Sequence, residues 1–315
     1  MAAAAAAACV GTSAGIAQQA PQRLSTLVVP SPAGGQIDAV ARVLTSNLES
    51  RFGQKMIVEN RPGAGGYTGA AYVARSVPDG QTLLMYAFAG LHSNVFVKDL
   101  PVDVGRTLAP IALLAEGPQF LIASTTVPAK TLPEFVAYAK KNPNKLNAAV
   151  IANTSYHLYT LQFLRAAGIE LVAIPYNGLP LRELLAGEVQ LLWTSVNVFE
   201  PHIKAGKVVV LAATSAERSE LMPEIPTVKE QGINFEALGQ NYAVFGPLGL
   251  NPEFAGQLNK RIYESMNTAA VREDLVRRGL LPPRRTESPE ELSAKFAKEV
   301  REVQEAAARF GIKPQ

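Results

Sequence analysis

Leu24-Ser25-Thr26-Leu27-Val28-Val29-Pro30-Ser31-Pro32-Ala33-Gly34-Gly35-Gln36-Ile37-Asp38 is the stretch from which the fold can be read. An apolar strand, Leu24 to Val29, stops at Pro30. A helix then begins near Gln36 and runs to Phe52, with Ile37, Val40, Leu44, Leu48 and Phe52 on one face and Gly53 as its stop. The loop between them is built of Pro and Gly. Gly34 and Gly35 lack Cβ atoms, so a ligand can approach their backbone N–H groups closely. The helix start adds unpaired N–H groups and the positive end of its dipole. Together these features describe an anion site that needs no Lys or Arg. Asp38 lies in the first helical turn, four residues before Arg42, where it either caps backbone amides or meets the ligand.

Outward from this stretch the same alternation continues. Strands are predicted at Met56–Glu59, Thr82–Tyr86, Phe120–Ser124, Leu146–Ile151, Leu171–Ile174, Val189–Thr194 and Val208–Ala213. Helices are predicted at Gly69–Ser76, Thr131–Lys141, Tyr156–Ala167, Leu179–Ala186, Pro252–Met266, Ala270–Arg278 and Pro289–Phe310. Thr131 with Glu134, and Ser288 with Glu291, have the spacing of capping boxes. Strands alternating with helices imply an α/β fold. The chain has 315 residues, enough for two domains. Short crossings near Ser124-Thr125 and Gln240-Asn241 would join them as a hinge.

Asn153-Thr154-Ser155 repeats the first design, after the strand Leu146–Ile151 and before the next helix. Two such helix starts, one in each lobe, could grip a carboxylate; either could equally be a plain turn or cap.

Composition narrows the function. Hydrophobic residues make up 48% and charged residues 18%, a globular balance. Thirty basic residues against 27 acidic ones, spread along the chain, do not suggest a nucleic-acid partner. Ala2 to Ala17 is uncharged and Ala-rich, with small residues at Gly15 and Ala17, and reads as an export leader (residues 1–17) cut after Ala17. Ala6-Ala7-Ala8-Cys9 also has the look of a lipoprotein box. Cys9 is the one cysteine, so a mature chain would carry no thiol.

Catalytic motifs are weak. His92, His157 and His202 have no metal-site spacing, and no metal or cofactor is expected. Gly11-Thr12-Ser13-Ala14-Gly15 matches GxSxG but lies in the leader. Gly63-Ala64-Gly65-Gly66-Tyr67-Thr68 nearly matches GxGxxG but ends in Thr68 and has no acidic residue at the usual distance on a strand. The chain is therefore expected not to be an enzyme. The alternatives are a secreted hydrolase-like enzyme or a ligand-presenting sensory protein on a similar two-lobed frame.

Several short segments, in order and at their spacing, carry a resemblance. They are Val28-Val29-Pro30-Ser31-Pro32-Ala33-Gly34-Gly35 with Asp38 and Ala41-Arg42; Val58-Glu59-Asn60-Arg61-Pro62-Gly63-Ala64-Gly65-Gly66; Pro78-Asp79-Gly80-Gln81-Thr82-Leu83-Leu84; Pro175-Tyr176-Asn177-Gly178; Thr214-Ser215-Ala216-Glu217-Arg218; Pro223-Glu224-Ile225-Pro226-Thr227; and Gly246-Pro247. Through them the chain resembles the Bug-type periplasmic receptors of tripartite tricarboxylate transporters, from about Leu24 to Lys313.

The resemblance implies a two-lobed Venus-flytrap fold, each lobe a mixed sheet flanked by helices. Lobe 1 would hold residues 22–124 and 241–315, and lobe 2 residues 125–240. It implies a periplasmic, monomeric receptor that takes a small carboxylate, aromatic or dicarboxylate, and delivers it to the membrane components of the transporter. Two loops would pinch the ligand, Ser31 to Asp38 (Ser31, Ala33, Gly34, Gly35, Asp38) and Asn153, Thr154, Ser155. Phe88, Tyr176, Asn177, Trp193, Thr194 and Ser195 would line the pocket. This chain has Ser31 where many relatives have an aromatic residue, lacks an acidic residue common near Thr194-Ser195, and has Trp193. Trp193 either walls the pocket for an apolar-bodied ligand or packs in the core.

Overall fold

The computed structural model describes residues 24–314, apart from 99, 101, 153, 177, 236 and 238. The predicted leader with Cys9, and the predicted ligand residues Asn153 and Asn177, lie outside the described residues.

The chain opens with β1 (Ser25–Val29), α1 (Gln36–Phe52), β2 (Met56–Asn60), α2 (Tyr67–Ala74), β3 (Thr82–Ala87), the short helices α3 (Ser93–Phe96) and α4 (Val104–Thr107), and β4 (Leu108–Ala115). It then builds β5 (Phe120–Ser124), α5 (Leu132–Lys141), β6 (Asn147–Ile151), α6 (Ser155–Ala167), β7 (Val172–Tyr176), α7 (Leu181–Ala186), β8 (Leu191–Thr194), α8 (Val196–Lys204) and β9 (Val208–Ala213). It returns through β10 (Tyr242–Pro247), α9 (Pro252–Met266), α10 (Ala269–Arg277) and α11 (Pro289–Arg309).

These strands form two five-stranded sheets, in the orders β2-β1-β3-β10-β4 and β7-β6-β8-β5-β9. The sheets share one plan. A parallel trio (β2-β1-β3, β7-β6-β8) is joined to an antiparallel pair (β10-β4, β5-β9). In each sheet the strand beside the trio is the first that the chain makes after arriving from the other lobe. Because β5 belongs to the second sheet, the first crossing is Glu116 to Gln119, not Ser124-Thr125, where the sequence reading puts it.

Side chains alternate between the two faces of each sheet. Leu27 and Val29 enter one core cluster and Val28 the other; Leu191 and Trp193 enter one and Leu192 the other. Helices cover both faces, so β5 and β10 are buried throughout. Burial alone does not hide a strand, since β5 is legible in the sequence; β4 and β10 carry breaker residues as well, Pro110 in one and Gly246-Pro247 in the other. A strand buried on both faces shows no polar alternation, and Leu108–Ala115 is a continuous apolar run interrupted by Pro110. Pro110 is tolerated because β4 is an edge strand.

The helix stops follow local chemistry. Gly53 ends α1 in the left-handed conformation (φ 64°), with its amide donating to Glu49 O at 2.9 Å. Ser288 and Glu291 form a complete capping box on α11. On α5, Thr131 accepts from the Glu134 amide, but the Glu134 carboxylate accepts from the Lys130 amide instead of Thr131's, so that box is displaced by one residue. The Gly63–Gly66 segment wraps an aromatic ring. A Cβ on Gly66 would lie 2.2 Å from the Tyr86 hydroxyl oxygen, and one on Gly90 would lie 2.1 Å from the ring carbon Cζ. Those glycines make room for Tyr86, which donates its phenol proton to Gly65 O.

The two crossings run side by side. Gly117 and Gln240 exchange both backbone hydrogen bonds (3.1 and 2.9 Å), and the Thr214 amide reaches Gln119 O at 3.0 Å. A Cβ on Gly239 would sit 2.6 Å from Gly117 O, so the strands touch through backbone alone. Two paired segments with no side chain wedged between them can bend together.

Candidate functional site

Parallel strands in an open α/β sheet place their loops at a common carboxyl edge, where ligands bind. Here there are two such edges, after β1, β2, β3 and after β6, β7, β8. They face each other. His92, in the short 3-10 turn Phe88–His92 that follows β3, has Nδ1 2.8 Å from Ser155 Oγ at the start of α6.

The helix starts at these edges differ from those elsewhere. Among the described helices of nine residues or more, α5, α9, α10 and α11 begin with a side chain (Thr131, Asn251, Thr268, Ser288) accepting a first-turn amide. α1, α6 and α8 begin without one, at Gly35, Thr154 and Ser195. Thr154 turns its hydroxyl back to Ile151 O (2.7 Å) rather than onto its own helix. The three helices that leave first-turn N–H groups without a side-chain cap are those at the predicted ligand loops.

A cavity of 410 Å³ adjoins the start of α1. Its walls are Pro30, Ser31, Pro32, Gly35, Gln36, Ile37, Gly65, Tyr86, Ala87, Gln240 and Tyr242, with no Lys or Arg among them. Ser31 Oγ is buried there without a hydrogen-bond partner in the described structure. The Tyr242 hydroxyl donates to Gln36 Oε1 (3.2 Å), and Gln36 Nε2 donates to Arg278 O (2.7 Å), which fixes the polar wall. Burial pushes the Tyr86 phenol up to about 12. At neutral pH the wall therefore presents neutral phenols rather than phenolates.

A larger cavity, 1110 Å³, lies on the other side of the crossing segment, between α6, α11 and the loop after β9. Gly239 and Asn241 line it, whereas Gln240 and Tyr242 line the smaller one, as expected for alternate residues of an extended chain. The smaller cavity is the candidate site, because it adjoins the uncapped start of α1 and holds the unpartnered Ser31 hydroxyl.

Several predicted residues are placed elsewhere. Asp38 is 2% exposed and does not line the cavity. Its Oδ2 accepts from the Gly34 amide and Arg42 Nε, both at 2.9 Å; Oδ1 accepts from Arg42 Nη2 at 3.0 Å and Asn60 Nδ2 at 2.9 Å. Both oxygens are filled, so Asp38 shapes the loop and leaves no lone pair for a ligand. The Arg42 guanidinium holds this carboxyl down to about 2, with Gly34 and Asn60 acting in the same direction and burial opposing them. Phe88 is also core, with its ring 5.5 Å from both Phe245 and Phe296. Trp193 is 4% exposed and stands edge-on to Phe163 and Phe235. Its position on β8 points it to the face shared with Leu191, beneath α6, so it is not a pocket wall. Thr194 is buried, Ser195 is the N-cap of α8, and Tyr176 ends β7 half-buried.

Of the first loop, Ser31 and Gly35 line the cavity, while Ala33 and Gly34 form its exposed outer turn. Gln36, Ile37, Gly65, Tyr86, Ala87, Gln240 and Tyr242 were not read from the sequence. The key to the last of these is sheet order: Tyr86 and Ala87 end β3, which pairs with β1, and Tyr242 opens β10, which pairs with β3.

Ser155, His92 and Glu299 stand in a line that superficially resembles an acyl-transfer triad, with His92 Nε2 3.7 Å from Glu299 Oε1. Ser155 and His92 have no exposed surface, so no substrate carbonyl can reach Oγ. No helix among the described residues is long and apolar enough to cross a membrane, and none of them form a group of three or more His, Cys, Asp or Glu that could hold a metal ion.

The model of the tripartite tricarboxylate transporter family receptor matches residues 40–304. The protein BugT of Bordetella pertussis is 31% identical over 270 residues, covering 83% of this chain and 82% of its own. The structure of R. palustris Rpa4515 with adipate has 28% identity and a TM-score of 0.76, covering 94% of this chain and 99% of its own. MatC from Rhodopseudomonas palustris with bound malate has 29% identity and a TM-score of 0.71, covering 91% and 99%. With two sheets of one plan joined by paired crossings, this chain belongs to the tripartite tricarboxylate transporter receptor family, as a solute-binding receptor and not an enzyme.

Proposed function

We propose that this receptor captures a small carboxylate between its lobes, holding it by amide groups at the starts of α1 and α6 rather than by a basic side chain. The observation that carries this reading is the pair of uncapped helix starts on facing sheet edges, one of them beside a cavity without Lys or Arg. A carboxylate placed at such a start gains charge-assisted hydrogen bonds and a favourable dipole interaction, the latter about 0.3–2 kcal/mol depending on burial. Relatives with adipate and with malate support the ligand class. The body of the ligand lies against Pro30, Pro32, Ile37 and Ala87 with the Tyr86 and Tyr242 phenols beside them, which suits an uncharged chain. The aromatic preference that Trp193 would have brought is not part of the proposal, because Trp193 is core. Ligand binding bends the paired crossings, and the closed form docks on the membrane components of the transporter after export with the leader cut at Ala17.

Native mass spectrometry of freshly purified protein, followed by calorimetry with adipate, malate and benzoate, tests the reading. A co-purified small acid, or saturable binding of a carboxylate from the panel, is expected. Absence of both, in protein shown to be folded, would reject it.

A further inference from the structure

His92 joins the two lobes at the point where the ligand loops meet. It comes from the turn after β3 in one lobe; Ser155, its partner at 2.8 Å, is the first residue of α6 in the other. Both side chains are completely buried. Two contacts from α11 hold the ring from behind. Phe296 lies nearly parallel to it (6.3 Å between centroids, 11°), and Glu299 Oε1 is 3.7 Å from Nε2. Nε2 itself has no hydrogen-bond partner in the described structure, and in the tautomer protonated there Nδ1 accepts the Ser155 hydroxyl proton. Burial brings the imidazole down to about 4, so the ring is neutral across the physiological range and can serve as that acceptor.

The consequence falls on α6. Thr154 spends its hydroxyl on Ile151 O, so it does not fix the first helical turn from within. The Ser155 side chain is tied to the opposite lobe instead, and its position sets the direction in which the first-turn N–H groups point. We propose that His92 is a positioning residue for ligand capture, which reaches across the lobes to fix the start of α6 and so aims the second half of the anion cradle. This rests on the carboxylate reading above for its functional meaning, though not for its geometry.

Three single variants, the double variant His92→Phe with Ser155→Ala, and two readouts test it. His92→Phe keeps an aromatic ring against Phe296 but cannot accept the bond. Ser155→Ala removes one hydroxyl and keeps the test open if His92→Phe does not fold. His92→Asn places an amide where Nδ1 stood. In ligand-free protein, amide hydrogen exchange of residues 155–158 rises in the first two variants and returns towards the wild-type rate in His92→Asn. Calorimetry with adipate and malate shows affinity about 5- to 20-fold weaker in each of the first two, the loss of one buried hydrogen bond. The double variant is no weaker than the worse single one, because both remove the same contact. Unchanged exchange in both singles, or losses that multiply in the double variant, would overturn the proposal. Exchange that responds as expected in the variants, while the wild-type protein carries no co-purified acid and binds no carboxylate of the panel, would support the clamp and reject the carboxylate reading instead.

Discussion

Replacing Asp38 by Asn keeps the shape of the side chain and removes its charge, so the variant isolates what the carboxylate does for the Ser31–Gly35 loop. The Asp38 carboxylate accepts four hydrogen bonds, two of them from Arg42. Its pKa is held at about 2, against an ordinary value of 3.8. A shift of that size corresponds to roughly 2.5 kcal/mol of stability tied to ionisation. Arg42 is 55% exposed, and water screens its side of the pair, which reduces the expected effect to about 1–2 kcal/mol. The sign follows from the direction of the shift. A depressed carboxylate contributes in full above its unfolded pKa and loses that contribution as pH falls through its folded pKa. The wild-type advantage over Asp38→Asn is therefore complete at pH 6, about half as large at pH 3, and absent below pH 2. Urea unfolding at pH 6 and pH 3 measures it. Equal stability of the two proteins at pH 6, or an undiminished gap at pH 3, would refute the argument that the ionised carboxylate organises the loop.

Other outcomes follow from the same geometry. Gly35→Val keeps ordinary backbone angles (φ −73°, ψ 171°), and its new Cβ meets only Pro32 O at 3.6 Å, so melting should be unchanged while carboxylate affinity measured by calorimetry drops at least about 10-fold. Gly34→Val has free space but a φ of +84°, so it should also lower stability by about 1–2 kcal/mol in chemical denaturation. Gly239→Ala drives a methyl group to 2.6 Å from Gly117 O; small-angle scattering should show a reduced ligand-induced compaction, and a normal closure would mean that the paired crossings are not the hinge. Burial raises the Glu299 carboxyl to about 7, so the native protein binds its proton more tightly than the unfolded chain. Its contribution is fully present below pH 4.5 and is lost as pH rises towards 7, and Glu299→Gln should flatten that part of the stability profile.

The sequence by itself determined the elements whose signals are local. α1 has its observed bounds because an amphipathic stripe from Ile37 to Phe52 ends at Gly53, whose missing Cβ allows the left-handed stop. β5, β9 and α9 were likewise legible, as was the Pro/Gly loop that leaves the first turn of α1 without a side-chain cap. The alternation of strand and helix also fixed the class of the fold. Tertiary structure decided what depends on which strands are neighbours. β4 and β10 lack polar alternation and also carry the breaker residues Pro110 and Gly246-Pro247, and without β10 neither Tyr242 nor Gln240 could be placed on a cavity wall. A strand's period of two leaves open what covers each face, and both faces of β8 are covered, with Trp193 buried beside Leu191 under α6. Asp38 looked equally suited to ligand and loop until Arg42, Asn60 and Gly34 were seen to fill its oxygens. His92 and Ser155 are 63 positions apart and carry no shared motif; only folding two separate sheets edge to edge brings an imidazole and a hydroxyl within a hydrogen bond.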